Sequence, residues 1–234
     1  MPECLNEPSR DKLLNLYNQL SSEYGSQAWW PAETPFEVII GAILVQSTAW
    51  RNVVKAIGNL RDAGLLTPPK LAAISQSQLE ELVRPSGYFR VKAKKLRAFL
   101  THLEIHHGYR LDSLFAAEVF ALRKELLSIY GIGNETADSI ILYAAEKPIF
   151  VIDSYTQRLL SRLGWIAGKY DYEKLQAIFM QALPHDVRLF NEFHALIDRH
   201  SSRVCRKTPH CHVCALRSEC PYNGETAEVV FSPR

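Results

Sequence analysis

Four cysteines near the C-terminal end have the spacing of a metal centre. Cys205, Cys211, Cys214 and Cys220 lie within 16 residues, far from the fifth cysteine, Cys4. Such tight clustering favours a metal over disulfides. Four thiolates can hold one zinc ion or one [4Fe–4S] cluster, and the spacing alone leaves both open.

A glycine pair marks a second candidate site. Gly131 and Gly133 interrupt helical sequence in the stretch Leu-Leu-Ser-Ile-Tyr-Gly-Ile-Gly-Asn-Glu-Thr-Ala, residues 126–137. Glycines leave little bulk over the backbone, so that amides beside the next helix can face outward. Outward amides at a helix start form an anion site suited to a DNA phosphate. An ordinary tight turn would have the same tripeptide, and on that tripeptide both interpretations remain open.

Residues 126–137 as a whole resemble the helix-hairpin-helix motif of the endonuclease III superfamily of DNA glycosylases. In that family an apolar run after the motif ends in the catalytic aspartate. Phe150-Val151-Ile152 is such a run, so the resemblance implies that Asp153 is catalytic; Asp153 can also cap the following helix. A partly desolvated carboxylate stabilises positive charge on the sugar and can orient or deprotonate the attacking water.

The resemblance also bears on lyase chemistry and on the metal. Bifunctional members carry a lysine directly before the Thr-Ala of the hairpin, and this lysine attacks the sugar as a Schiff base. Glu135 stands at that position and cannot form an imine, which implies a monofunctional glycosylase. The family's cluster loop follows its last helix with similar gaps, so we expect a [4Fe–4S] cluster, with zinc as the alternative.

Three of the four tryptophans flank one apolar segment. Trp29-Trp30-Pro31 precedes it, and Trp50 follows Gln46. Core packing is one interpretation; the other is an aromatic slot that binds cationic alkylated purines through cation–π attraction. The pattern resembles the 3-methyladenine glycosylase III branch of the superfamily, which implies that these aromatic residues and the proline line a base pocket. The superfamily also implies that Gln46 fills the gap left in the duplex by a flipped base.

Basic residues cluster at positions 90–97, although the net charge is only +2. From this cluster we predict Arg90 and Lys92 as DNA contacts; a solvated helix face is the alternative. The eight histidines are scattered and predict no metal triad. Neither an apolar run of membrane-spanning length nor a signal peptide is evident, so we expect a cytoplasmic, nucleoid-associated monomer whose partner is double-stranded DNA with a damaged base.

The elements that position these residues read almost entirely as helices. Apolar residues recur at helical spacing in segment after segment, and Pro148–Ile152 is the one β-leaning run. We therefore predict an all-α protein of about ten helices. Residues 30–135 would form a helical domain ending in the hairpin, and residues 1–29 with 136–222 a cluster domain, with the DNA cleft between them. Residues 223–234 would be a loosely ordered tail.

Three rival functions remain. A bifunctional glycosylase/lyase would need a lysine where Glu135 stands. A mismatch glycosylase acting on mispaired adenine would use a glutamate on the helix before Gln46; Glu37 lies there, although a capping role also explains it. The third rival is a non-catalytic DNA-binding module with structural zinc, which would be colourless near 400 nm.

Overall fold

The computed structural model describes residues 7–27, 29–168 and 170–222. In these ranges the regular structure is helical and no strand occurs, so the all-α prediction is confirmed. The twelve α-helices are α1 Arg10–Tyr24, α2 Pro35–Leu44, α3 Trp50–Asp62, α4 Pro68–Ala73, α5 Gln76–Val83, α6 Phe89–His107, α7 Leu111–Phe115, α8 Val119–Leu127, α9 Asn134–Ser139, α10 Ser154–Arg162, α11 Tyr172–Ala182 and α12 Val187–Arg203. A π-helical turn, Ile140–Ala144, continues α9.

The chain divides into two units, and the first to be described is Trp30–Ile149. Its centre is α2, in which every residue after Pro35 is buried, as expected for a helix that is apolar on all sides. The start of α2 follows the predicted cap: the Thr34 hydroxyl accepts a hydrogen bond from the Glu37 amide at 3.2 Å. The buried Glu37 carboxylate receives the Arg61 guanidinium at 2.6 Å, which favours a structural role for this residue.

The other unit combines the residues up to Trp29 with those from Phe150 onward. Here α1, α10, α11 and α12 pack around an aromatic core. The ring of Phe150 stacks on Phe179 at 3.9 Å and meets Phe190 and Phe193 edge to face. This packing holds the extended run 149–152 in the protein interior directly before Asp153. It thereby fixes the position of Asp153 at the start of the next helix.

The first unit extends to Ile149, whereas the sequence placed the boundary at residue 135. The reason is packing: α9 and the π-helical turn after it lie against α2, the core of the first unit. The second helix of the hairpin, α9, and the turn that continues it therefore belong with the helices before them. Cys4 and the predicted tail at 223–234 lie outside the described residues. None of the helices in the described residues combines the length and the apolar composition that a membrane span requires.

Candidate active site

The hairpin glycines differ in conformation and surroundings. Gly131 has φ of +85°, a left-handed value that only glycine adopts without strain, and the side chain of Lys95 lies across it. Gly133 is extended, at φ −98° and ψ −177°, directly before α9. It is exposed, and nothing stands within 4 Å of where a Cβ would be. The backbone at Gly133 is therefore open to close approach by another molecule.

A buried ion pair joins the two helices of the hairpin. Asp138 of α9 is fully buried, and Arg123 of α8 donates Nε to its Oδ1 at 2.7 Å and Nη2 to its Oδ2 at 3.3 Å. A guanidinium that meets a carboxylate with both nitrogens fixes orientation as well as distance. The pair therefore sets how α8 and α9 lie on either side of the turn.

Gln46 is attached to the hairpin. Its amide nitrogen donates to the Gly131 carbonyl at 3.1 Å and to the Thr136 hydroxyl at 2.9 Å. Its amide oxygen accepts from the Lys95 ammonium. These bonds place Gln46, Lys95 and Gly131 together at one point of the unit. Insertion of Gln46 into a duplex stays a prediction, and it would require these bonds to open.

Two of the predicted tryptophans form an aromatic cluster with a residue that the sequence did not single out. The Trp30 ring meets Trp50 edge to face at 5.1 Å and Tyr143 at 5.1 Å. Both tryptophans press on Gly41, where a Cβ would stand 3.2 Å from the Trp30 ring. The predicted pocket residues Trp30 and Trp50 are thus neighbours and partly exposed.

The other two predicted pocket residues lie apart from these contacts. Pro31 is exposed, and Trp29 is the last residue of the other unit before the chain enters this one. A pocket role for Pro31 and Trp29 stays a prediction.

Asp153 caps α10, as its alternative interpretation proposed. Its Oδ1 accepts from the Thr156 amide at 2.7 Å and from the Thr156 hydroxyl at 2.8 Å. Two donors on one oxygen fix the rotamer of the Asp153 side chain. The other oxygen, Oδ2, takes no part in the cap and lies 3.8 Å from His194 Nε2. The cap thus engages only one of the two carboxylate oxygens of Asp153.

Two residues of α12, His194 and Asp198, lie one turn apart and interact with the Asp153 carboxylate. Burial lowers the pKa of His194, which therefore stays neutral near pH 7 although Asp153 pulls in the opposite direction. Burial, and then the negative charge of Asp153, raises the pKa of Asp198 to about 7. The carboxylate of Asp153 thus stands beside a neutral imidazole and a second carboxyl group that holds its proton more tightly than usual.

The cysteine segment follows α12 and is held by α10. Arg158 donates to the carbonyls of Ser201 and Cys205, both at 2.9 Å. Arg162 donates to the carbonyls of Arg206 and Lys207 at 2.6 and 2.9 Å and to the Cys205 sulfur at 3.1 Å. The helix that starts at Asp153 therefore ends on the cysteine segment, so that the two share one rigid support.

All four cysteines of this segment are free thiols that line one cavity, together with apolar side chains such as Leu163 and Leu216. Four thiols around one cavity are a donor set for a single metal centre, and zinc and a [4Fe–4S] cluster both accept four cysteine thiolates.

The predicted basic contacts divide into exposed and buried residues. Arg90 is 79% exposed and remains a candidate for DNA contact. Lys92 is 2% exposed, and its ammonium donates to the Ser86 carbonyl at 2.6 Å, so that its predicted phosphate contact is wrong. Burial lowers the pKa of Lys92 to about 8. Helical periodicity places Lys92 on the inner face of α6, which charge counting along the sequence did not consider.

Sequence reasoning missed Tyr143, His194 and Asp198. Tyr143 lies in the π-helical turn, and apolar patterning gave no reason to separate it from the core. His194 and Asp198 are spaced i and i+4, so that they share one face of α12. That spacing was the available signal, but only the contact between α10 and α12 shows that this face meets Asp153.

One unit carries a hairpin with an open glycine turn. The other unit carries an aspartate that caps a helix, and this helix holds a four-cysteine segment. A known class of proteins has these features. Residues 40–185 match the model of the HhH-GPD superfamily base excision DNA repair protein. The chain belongs to this superfamily, so the resemblance to the endonuclease III superfamily is confirmed.

Individual relatives extend the comparison to most of the chain. A protein of Methanocaldococcus jannaschii, named as a candidate DNA repair glycosylase, is 41% identical over 92% of this chain and 99% of its own. Endonuclease III of Thermotoga maritima is 30% identical over 80% of this chain and 83% of its own. The structure of 3-methyladenine DNA glycosylase of H. pylori, bound to 1,N6-ethenoadenine, has a TM-score of 0.72 and 29% identity, covering 83% of this chain and 97% of that one.

Proposed function

We propose that this protein is a monofunctional DNA glycosylase that hydrolyses the N-glycosidic bond of alkylated purines in double-stranded DNA. The observation that carries the proposal is the geometry of Asp153. One carboxylate oxygen is fixed by two donors from Thr156, and the other is left for chemistry. The same aspartate begins the helix that supports the cysteine segment, so that its position is held from both ends.

In the proposed reaction the base leaves with the electron pair of the glycosidic bond, and positive charge develops on the sugar. Oδ2 of Asp153 stabilises that charge and accepts a proton from the water that adds to the sugar carbon. The neutral state of His194 suits this role, because a cation at 3.8 Å would weaken the field of the carboxylate. A purine alkylated at N3 or N7 carries positive charge, so that it leaves as a neutral base and needs no further protonation.

The absence of lyase chemistry rests on Glu135. It occupies the first turn of α9 and is exposed. Its carboxylate cannot form a Schiff base, and it complements the positive end of the helix instead. We therefore expect an intact abasic strand as the product, and no borohydride-trapped adduct, in contrast to a bifunctional glycosylase/lyase.

The aromatic cluster supports an alkylated purine as substrate. Trp30 and Trp50 are partly exposed, Tyr143 is buried against Trp30, and a methylated purine cation is attracted to aromatic ring faces by cation–π interaction. The H. pylori relative, a 3-methyladenine glycosylase, is bound to 1,N6-ethenoadenine, an alkylated adenine. Thymine and uracil carry no charge and would gain less from this cluster.

We further propose that Cys205, Cys211, Cys214 and Cys220 hold a [4Fe–4S] cluster. When bound, the cluster supplies a covalent clamp on the segment after α12, and no step of base removal passes through it. The segment carries Arg206 and Lys207, both exposed, which offer cations to the phosphate backbone. Absorbance near 400 nm with iron and sulfide in equal amounts would support the cluster, and zinc bound to the four cysteines with no iron in the protein would contradict it.

The substrate is tested by release of base from a panel of duplexes that contain 3-methyladenine, 1,N6-ethenoadenine, thymine glycol or a mispaired thymine. We expect release of 3-methyladenine, and weaker release of 1,N6-ethenoadenine because that base carries no positive charge. A Trp50→Leu variant should lose most of this activity, whereas Trp165→Leu, which removes the tryptophan outside residues 29–50, should retain it. Release of thymine glycol together with strand cleavage would instead favour the bifunctional reaction.

A further inference from the structure

Two histidines and a glutamate converge at one point of the unit Trp30–Ile149, on residues with no part in the proposed reaction. His102 and His107 lie on α6, and Glu125 lies on α8. The Nε2 atoms of both histidines point at the same glutamate oxygen, Oε1, at 2.8 and 2.6 Å. The three ligand atoms lie within 4.8 Å of one another.

The geometry points to a second metal site, which we propose binds a divalent transition ion, preferably zinc, through His102, His107 and Glu125. Two imidazole nitrogens and one carboxylate oxygen form a donor set that zinc uses in proteins, with a fourth position left for water. Ligand atoms around a tetrahedral zinc with bonds of 2.0–2.1 Å stand about 3.3 Å apart. The two nitrogen–oxygen distances of 2.8 and 2.6 Å therefore need to open by about 0.5–0.7 Å to admit the ion.

The surroundings orient these donors as a metal site requires. His107 Nδ1 lies 3.1 Å from the Ser113 hydroxyl, and this contact fixes the ring so that Nε2 faces Glu125. A second partner on the far nitrogen is the usual arrangement for a metal-binding histidine. The side chains of His102, His107 and Glu125 are 17%, 12% and 27% exposed, so that an ion could enter from solvent and still be partly shielded.

The location gives the ion a structural consequence. Glu125 stands two residues before the end of α8, the first helix of the hairpin, and α8 also carries Arg123, which pairs with Asp138. A metal that joins Glu125 to two residues of α6 would fasten the hairpin helix to the longest helix of the unit. Zinc would then hold α8 against α6 more strongly than the hydrogen bonds alone do, and zinc binding would thereby stabilise the hairpin.

The test is a zinc-binding measurement on the full chain with its cysteine cluster assembled. Protein is stripped of loosely held metal with a chelator and dialysed against buffered Zn²⁺, and zinc and iron per chain are counted by mass spectrometry. We expect wild type to bind one zinc more than the His102→Gln/His107→Gln double variant, at unchanged iron. Because both proteins keep all four cysteines, zinc bound to thiolates cancels in the difference.

His185→Gln is the matched control, because His185 is an exposed histidine of the other unit that does not belong to the three-ligand group. It should bind zinc as wild type does. Ser113→Ala should weaken binding by about 10–100-fold, because the ring of His107 loses its orienting partner. Circular dichroism checks that each variant is folded.

Cobalt distinguishes the ligands. Co²⁺ at this site should give visible bands without the intense thiolate charge-transfer absorbance of a cysteine site, and the double variant should lose them. Equal zinc content in wild type and the folded double variant would overturn the proposal. Equal loss of zinc in His185→Gln and the double variant would overturn it as well, since the effect would then be one of surface histidines in general.

Discussion

Alanine at each hairpin glycine separates the conformation of the turn from its contact with DNA. At Gly131 the alanine Cβ would stand 2.8 Å from Cε of Lys95 and closer still to Cγ and Cδ, at a φ of +85°. The left-handed conformation costs about 1–2 kcal/mol for alanine. Overpacking costs about 1–3 kcal/mol more. Gly131→Ala should therefore lower the free energy of unfolding by about 2–5 kcal/mol, and the displaced Lys95 should lose its bond to Gln46.

Gly133→Ala is the matched variant. Its backbone is extended and its Cβ would meet no atom within 4 Å, so that stability should change by less than about 0.5 kcal/mol. If the amides here contact a phosphate, the added methyl group should still weaken binding to duplex DNA. The assays are urea unfolding and fluorescence anisotropy at fixed salt.

Unchanged stability of Gly131→Ala would refute the account of the turn. Unchanged stability together with unchanged DNA affinity in Gly133→Ala would refute contact between this open backbone and DNA.

Three further predictions concern single side chains. Arg123→Met should cost about 3–5 kcal/mol in urea unfolding, because it strands the buried Asp138 carboxylate, and Asp138→Asn in the same chain should recover part of the loss; a cost below 1 kcal/mol would contradict a buried ion pair. Thr156→Val removes one of the two donors that fix the Asp153 carboxylate and should lower the rate of base release, whereas Thr156→Ser should restore it; an unchanged rate in Thr156→Val would contradict a positioning role for this hydroxyl. Because the pKa of Asp198 rises to about 7 on folding, the folded state holds an extra proton between about pH 4 and 7 and loses stability as the pH rises through that window. Asp198→Asn should therefore be more stable relative to wild type at pH 8.5 than at pH 5; an equal difference at both would refute the shift.

The fold class and the residues of the hairpin could be predicted from the sequence because both depend on local signals. Thr34-Pro35 capped a helix as predicted, and apolar periodicity identified the long helices. Short helices such as α4 and α7, with six and five residues, present too few turns for a periodic signal and were not separated from their neighbours.

What the sequence could not provide were contacts between residues distant in the chain. Lys92 looked like a DNA contact because charge was counted along the chain, whereas the helical turn places it against Ser86 and buries it. The group around Asp153 depends on the packing of α12 on α10. Glu125 lies 18 residues after His107, a separation with no local pattern, and only the packing of α8 near α6 brings the two together.

The spacing of the cysteines predicts four metal ligands but leaves open which metal they hold. Four cysteines within 16 residues suit zinc as well as an iron–sulfur cluster. The separation of the sulfur atoms around one cavity depends on how Arg158 and Arg162 hold the segment after α12. These contacts follow from the fold and cannot be read from the cysteine positions.

The central claim is that Asp153 catalyses hydrolytic release of an alkylated base, and one measurement tests it most directly. Wild type and Asp153→Asn are compared in single turnover on a duplex with one 3-methyladenine, with released base and abasic strand counted separately. Asparagine can still cap α10 through its side-chain oxygen, so that the variant should fold and bind the duplex. We predict loss of base release by about 100–10,000-fold at unchanged DNA affinity, with no strand cleavage by wild type. Equal rates for the two proteins would contradict the claim.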